Sequence, residues 1–91
     1  MKYLLLNVYC SDGTKPYVVS SKLHTTHKDA TEEMRKAAED ALVNEYNEEN
    51  YPDEDDISTD VSYNNYHITG PDFHDWWMII ELRDDAAKGD V

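Results

Sequence analysis

The chain has 91 residues, 20 acidic against 8 basic side chains, a formal net charge of −12, a single cysteine, and 7 Tyr, 2 Trp and 1 Phe. That length suits one domain. The aromatic content argues for a packed core rather than disorder, and the lone Cys10 excludes a disulfide-stapled scaffold. The charge opposes direct binding to nucleic acid or an anionic membrane, no apolar run reaches the roughly 20 residues of a helical span, and Met1 to Tyr9 is too short for a secretory leader, so the cytoplasm is the expected location.

Lys2 to Cys10 reads as a strand, with Leu4, Leu6, Val8 and Cys10 on one side and Tyr3, Leu5, Asn7 and Tyr9 on the other. Apolar residues on both sides suggest a central strand covered at least partly on each face. Ser11-Asp12-Gly13-Thr14 is a turn, and Pro16 delays a second strand to the alternating stretch up to Leu23, giving a hairpin. Thr25 or Thr26 is placed to cap a helix, with Asp29 three residues after Thr26. Ala30, Met34, Ala37, Ala38, Ala41 and Leu42 form its apolar stripe to about Tyr46, and Glu32, Glu33, Glu39 and Asp40 are expected to face outward.

Residues 47–60 lack both periodicities and contain Pro52, so they read as a loop, with Tyr51 and Ile57 as its ordering residues. A strand then runs from Asp60 to Ile68, with Val61, Tyr63, Tyr66 and Ile68 as burial candidates. The change of face between Tyr63 and Tyr66 implies a bulge or slipped register near Asn64 and Asn65. Gly70-Pro71-Asp72 is a turn, and Asp75 to Arg83 alternates as a final strand. One of the adjacent Trp76 and Trp77 must leave the core face. The expected architecture is α+β in the order β-β-α-β-β: a four-stranded, mainly antiparallel sheet with one helix on one face. It forms a single domain over 1–83, with a flexible tail at 84–91.

The acid is unevenly spread. Residues 29–60 hold 13 acids and 2 bases, a net −11, while the other 59 residues are nearly neutral. From Glu45 to Asp60 there are 8 acids and no base. Like charges gathered in this way repel one another and disfavour the compact state. Carboxylates on successive helical turns lie about 5–6 Å apart, a spacing comparable to phosphates along a nucleic-acid strand. The surface expected to bind a partner is Glu32, Glu33, Glu39, Asp40, Glu45, Tyr46, Glu48, Glu49, Tyr51, Asp53, Glu54, Asp55 and Asp56, with Tyr46 and Tyr51 as aromatic anchors. The expected partner is a basic protein, such as a nucleic-acid-binding effector.

The short acidic chain and its EENYPDEDD segment resemble, at the level of a class, the DNA-mimic inhibitors of phages and mobile elements, including anti-CRISPR proteins. They also resemble the acidic immunity proteins that block basic nucleases. The resemblance rests on charge over residues 29–60 and implies a non-enzymatic inhibitor of a basic protein. The alternative is a small self-associating structural or regulatory module, a homodimer, whose acidic face only keeps it soluble.

Other constellations point away from chemistry. A calcium loop starting at Asp53 would place Ser58 where glycine is needed and Asn64 where the bidentate glutamate is needed. His24 and His27 lack the spacing of a helical zinc pair, while His67 and His74 flank a turn and could meet across a hairpin. No nucleotide-binding glycine loop or nucleophile elbow is present, so no catalytic residue, cofactor or metal is expected.

Overall fold

The computed structural model of the chain describes residues 1–53 and 56–83. Its elements are β1 (Lys2–Ser11), β2 (Tyr17–His24), α1 (His27–Asn44), β3 (Ser58–Ser62), β4 (Asn65–Thr69) and β5 (Phe73–Leu82). The strands form one antiparallel sheet in the order β2-β1-β5-β4-β3, with α1 across one face. The α+β class and the helix-on-sheet layering are as the sequence implies. The tail expected at 84–91 lies outside the described residues.

The sheet has five strands rather than four. The stretch read as one bulged strand is a hairpin, in which Ser62 pairs with Asn65 around a turn at Tyr63 and Asn64. The change of face that implied a bulge is this reversal of the chain. Tight hairpins usually advertise themselves by a glycine or Asn-Gly pair at positive φ. Here Gly13, at φ 79°, is the one described residue in that region, so the Tyr63-Asn64 turn carries no such mark. His27, at the start of α1, stabilises the turn from outside. Its Nε2 lies 2.6 Å from Asn64 Oδ1, and its ring stacks on Tyr63 at 4.2 Å. Val61 and Tyr63, expected inside, are 48% and 72% exposed because β3 is an edge strand and the groove between it and α1 stays open.

Helix α1 begins where expected. Thr26 has extended backbone angles, and its hydroxyl accepts from the Asp29 N–H at 3.1 Å. The apolar stripe buries Ala30, Met34 and Ala38 against Leu5 of β1, Tyr66 and Ile68 of β4, and Phe73, Trp77 and Ile79 of β5. Ala37, Ala41 and Leu42 flank this core. At Gly70 any Cβ would collide with the Phe73 ring, and the Gly70 N–H donates to Phe73 O at 2.9 Å, so the turn into β5 needs glycine.

Residues paired across antiparallel strands share a face. Tyr3, Leu5, Asn7 and Tyr9 of β1 therefore lie with Glu81, Ile79, Trp77 and Asp75 of β5 on the helix side. Leu4, Leu6 and Val8 lie with Ile80, Met78 and Trp76 on the opposite side, which β2 extends with Leu23 and Val18. Both sides of β1 are apolar, as its sequence suggests, but among the described residues only one is covered by another layer. Trp77 is the core tryptophan, 6% exposed, and Trp76 is half-buried on the bare side.

Candidate functional site: an acidic helix face and the cleft at its end

Of the helical acids, Glu32, Glu39 and Asp40 are exposed as expected. Glu33 is not free to face outward. It reaches β2, where Lys22 Nζ donates at 3.0 Å and His24 Nε2 at 2.5 Å. The Lys22 ammonium holds its carboxyl below the ordinary range, and His24 adds to this. Glu33 therefore fastens the helix to the sheet, and its charge is partly offset within the chain.

Beyond the helix, Glu45, Glu48, Glu49 and Asp53 are exposed and Asp56 is half-buried, while Glu54 and Asp55 lie outside the described residues. The last turn of α1 has no base, so the negative end of its dipole adds to the acid instead of being countered. Asparagines cap it. Asn47 Nδ2 donates to Val43 O and Asn50 Nδ2 to Glu45 O, both at 2.8 Å, and Asn47 Oδ1 accepts from Asn50 N–H at 3.1 Å. These bonds order the chain without adding positive charge.

The two tyrosines expected as anchors turn inward. Tyr46 stacks on Phe73 at 4.5 Å and Tyr51 lies 5.7 Å from the same ring, so both help close the end of the core. The Tyr46 hydroxyl donates to Asp75 Oδ2 at 2.8 Å, and Asn7 Nδ2 donates to Asp75 Oδ1 at 2.7 Å. Asp75 is 6% exposed. Burial pushes its carboxyl up, while the two donors pull it back, as does the more distant His67. Burial and the adjacent Asp75 carboxylate also push the Tyr46 phenol up, so it remains a donor. A buried carboxylate held by two neutral donors, with no base of the described residues in an ion pair, retains attraction for a cation.

Asp75 lies at an open cleft of about 670 Å³ between the C-terminal half of α1 and strands β1 and β2. Ala37 and Ala41 leave the space, and a bulge at Val19 displaces β2, where Ser20 pairs with Asn7 but Val18 with Val8. Tyr9, Tyr17, Tyr46 and Trp77 supply aromatic walls, and Asp40 and Glu45 supply further acid. Among the described residues no Lys, Arg or His lines it. Aromatic faces with carboxylates behind them suit a lysine or arginine side chain.

Asp40, Glu45 and Tyr46 belong to the binding surface the sequence suggests, whereas Asn7, Tyr9, Tyr17, Asp75 and Trp77 lie outside it. A signal for Asp75 was present: it alternates with Phe73 and Trp77 on the buried side of a strand, where an acid is out of place. His67 and His74 do meet, at 3.1 Å, stacked with Trp76 on the bare side of the sheet. Among the described residues no group of three or more His, Cys, Asp or Glu side chains is arranged to hold a metal ion, and no helix is long and apolar enough to cross a membrane. Comparison of the chain with protein-family models, with curated proteins and with solved structures gives no match.

Proposed function

We propose that this is a non-enzymatic acidic protein that binds a basic, nucleic-acid-binding protein through α1 and the segment after it, and inhibits it by occupying the groove meant for phosphates. The observation that carries this reading is the segregation of charge. Residues 29–60 hold a net −11, and Glu32, Glu39, Asp40, Glu45, Glu48, Glu49 and Asp53 stand exposed along the helix and its C-terminal extension. The cleft adds a specific receptor to this diffuse field. A lysine or arginine of the partner would enter between Tyr9, Tyr17 and Trp77 and meet the Asp75 carboxylate.

The test is affinity capture on the immobilised chain. Captured proteins should be basic, should be displaced by duplex DNA, and should be released as salt rises from about 50 to 200 mM, the range over which phosphate-like contacts weaken steeply. Neutralising Glu39, Asp40, Glu48 and Glu49 together to their amides should weaken binding about tenfold or more, at roughly 0.2–1 kcal/mol per exposed charge contact. Capture that ignores both salt and these substitutions would remove the electrostatic account. A second reading, a self-associating module with a merely solubilising acidic face, is favoured by the bare apolar side of the sheet.

A further inference from the structure

The side of the sheet away from α1 carries apolar residues on three adjacent strands, and no described element covers it. Val18 is 57% exposed, Leu23 52%, Ile80 40% and Leu82 41%. We infer that this face is a self-association surface, on which a second copy of the chain packs sheet against sheet about a two-fold axis, leaving the two helices outermost. The inference does not rest on the docking reading and concerns the opposite side of the molecule.

Three observations select a second copy as the occupant. The first is area. Strands about 4.8 Å apart with about 3.3 Å rise per residue give β2, β1 and β5, of 8, 10 and 10 residues, a shared face of roughly 440 Å². Five-residue β4, whose His67 stacks with Trp76 and His74 of β5, extends it to roughly 520 Å². Two such faces remove roughly 1,000 Å² from water, about what a biological interface must clear, whereas one left bare would fall among the largest patches that typical monomers expose.

The second is charge. Within a chain of net charge −12, strand register puts two fixed charges of the described residues on this face, Lys2 on β1 and Asp60 on the β3 edge, and they are of opposite sign. A strongly basic or acidic partner would find one opposite charge here and one like charge, with no net attraction. An identical neutral face matches it.

The third is where the acid goes. Packed sheets lie about 10 Å apart, and each helix lies about 10 Å beyond its own sheet, so the two acidic layers would be roughly 30 Å apart. That is several Debye lengths at physiological salt, which are about 8 Å each, so two strongly negative copies can meet through this face without their acid opposing it.

The test is the mass of the full chain by sedimentation equilibrium from about 1 to 100 µM, the span that resolves micromolar association. The expected result is twice 10.6 kDa at the upper end, unchanged or strengthened by added salt. Ile80→Lys and Leu23→Glu each put a charge at an exposed position on the face, and each should return the mass to 10.6 kDa with an unchanged far-ultraviolet spectrum. Amide substitutions at Glu48 and Glu49 should leave the dimer intact, which separates this inference from the docking reading. A mass of 10.6 kDa throughout would overturn it. So would a dimer that survives both face variants, which would belong to a sheet edge, or a monomer that co-floats with phosphatidylcholine vesicles, which would assign the face to a lipid surface.

Discussion

The two sides of the sheet differ in almost every respect. The helix side is covered except for the cleft at the end of α1: Ile68, Met34, Ala30 and Ala38 are between 0% and 1% exposed, and the charge of α1 and the following segment stands outside them. The other side is open, with nearly as many large apolar residues and two fixed charges. A single chain has thus made one charged, solvent-facing layer and another that is neutral and apolar. The difference teaches that net charge alone describes this protein poorly, because the strongly acidic surface and the neutral apolar surface belong to opposite layers.

The sharpest way to break this comparison is to remove the same side chain from each face. Ile68→Ala should cost about 2–4 kcal/mol in urea denaturation, because its site is sealed and cannot collapse fully. Ile80→Ala, measured at a concentration low enough to keep the chain monomeric, should fall within about 0.5 kcal/mol of the parent protein, since half-exposed surface positions contribute little. Equal losses at the two sites would mean that something already covers the open face in the monomer.

A smaller effect is expected within the closed face, at the polar group beneath the acid. Tyr46→Phe keeps the ring on Phe73 but deletes the hydroxyl that donates to Asp75, leaving the buried carboxylate with Asn7 as its only side-chain donor. The expected loss is about 1–3 kcal/mol, read by the same denaturation. No change would mean that water replaces the hydroxyl freely and that the cleft floor is wetter than its burial suggests.

The smallest effect is a pH dependence on the open face. Burial, with repulsion from His74 added, holds the His67 imidazole below its ordinary value. The unfolded chain therefore takes up a proton that the folded chain resists. This contribution is intact above the unfolded value of about pH 6.5 and is lost as pH falls below it. Asp75 works in the opposite sense. Its carboxyl is raised by burial, so its contribution is largest below the unfolded value of about 3.9 and is lost as pH rises through the folded one. His67→Gln should lose less stability than the parent between pH 7 and pH 5, and an identical loss in both would remove His67 from the account.

Local features of the chain were legible where a residue's role depends on its near neighbours in sequence. Thr26 three residues before Asp29 is a cap, Ala30 to Leu42 is a stripe, Asp12-Gly13 is a turn, and the acid of 29–60 is contiguous and can be counted. Two local readings failed for physical reasons. The Tyr63-Asn64 turn has none of the glycine that marks tight hairpins, and its stability comes from His27, 37 residues from Asn64. Tyr46 and Tyr51 looked like exposed anchors among acids, but Phe73, far along the chain, draws both rings inward.

By itself, then, the sequence determined the class, the helix, the first and last hairpins and the place of the charge, because each rests on periodicity, capping or composition within a short window. Only the tertiary structure decided that β1 and β5 pair at the centre, and this pairing produces both features of functional interest. It brings Asn7 and Asp75 together under Tyr46 to form the floor of a cation-receptive cleft. It also aligns Leu4, Leu6 and Val8 with Ile80, Met78 and Trp76 to form a continuous apolar face. Residues some 70 positions apart carry no mark of their register in either strand alone, since an alternating strand shows which residues share a side but not which neighbour completes it.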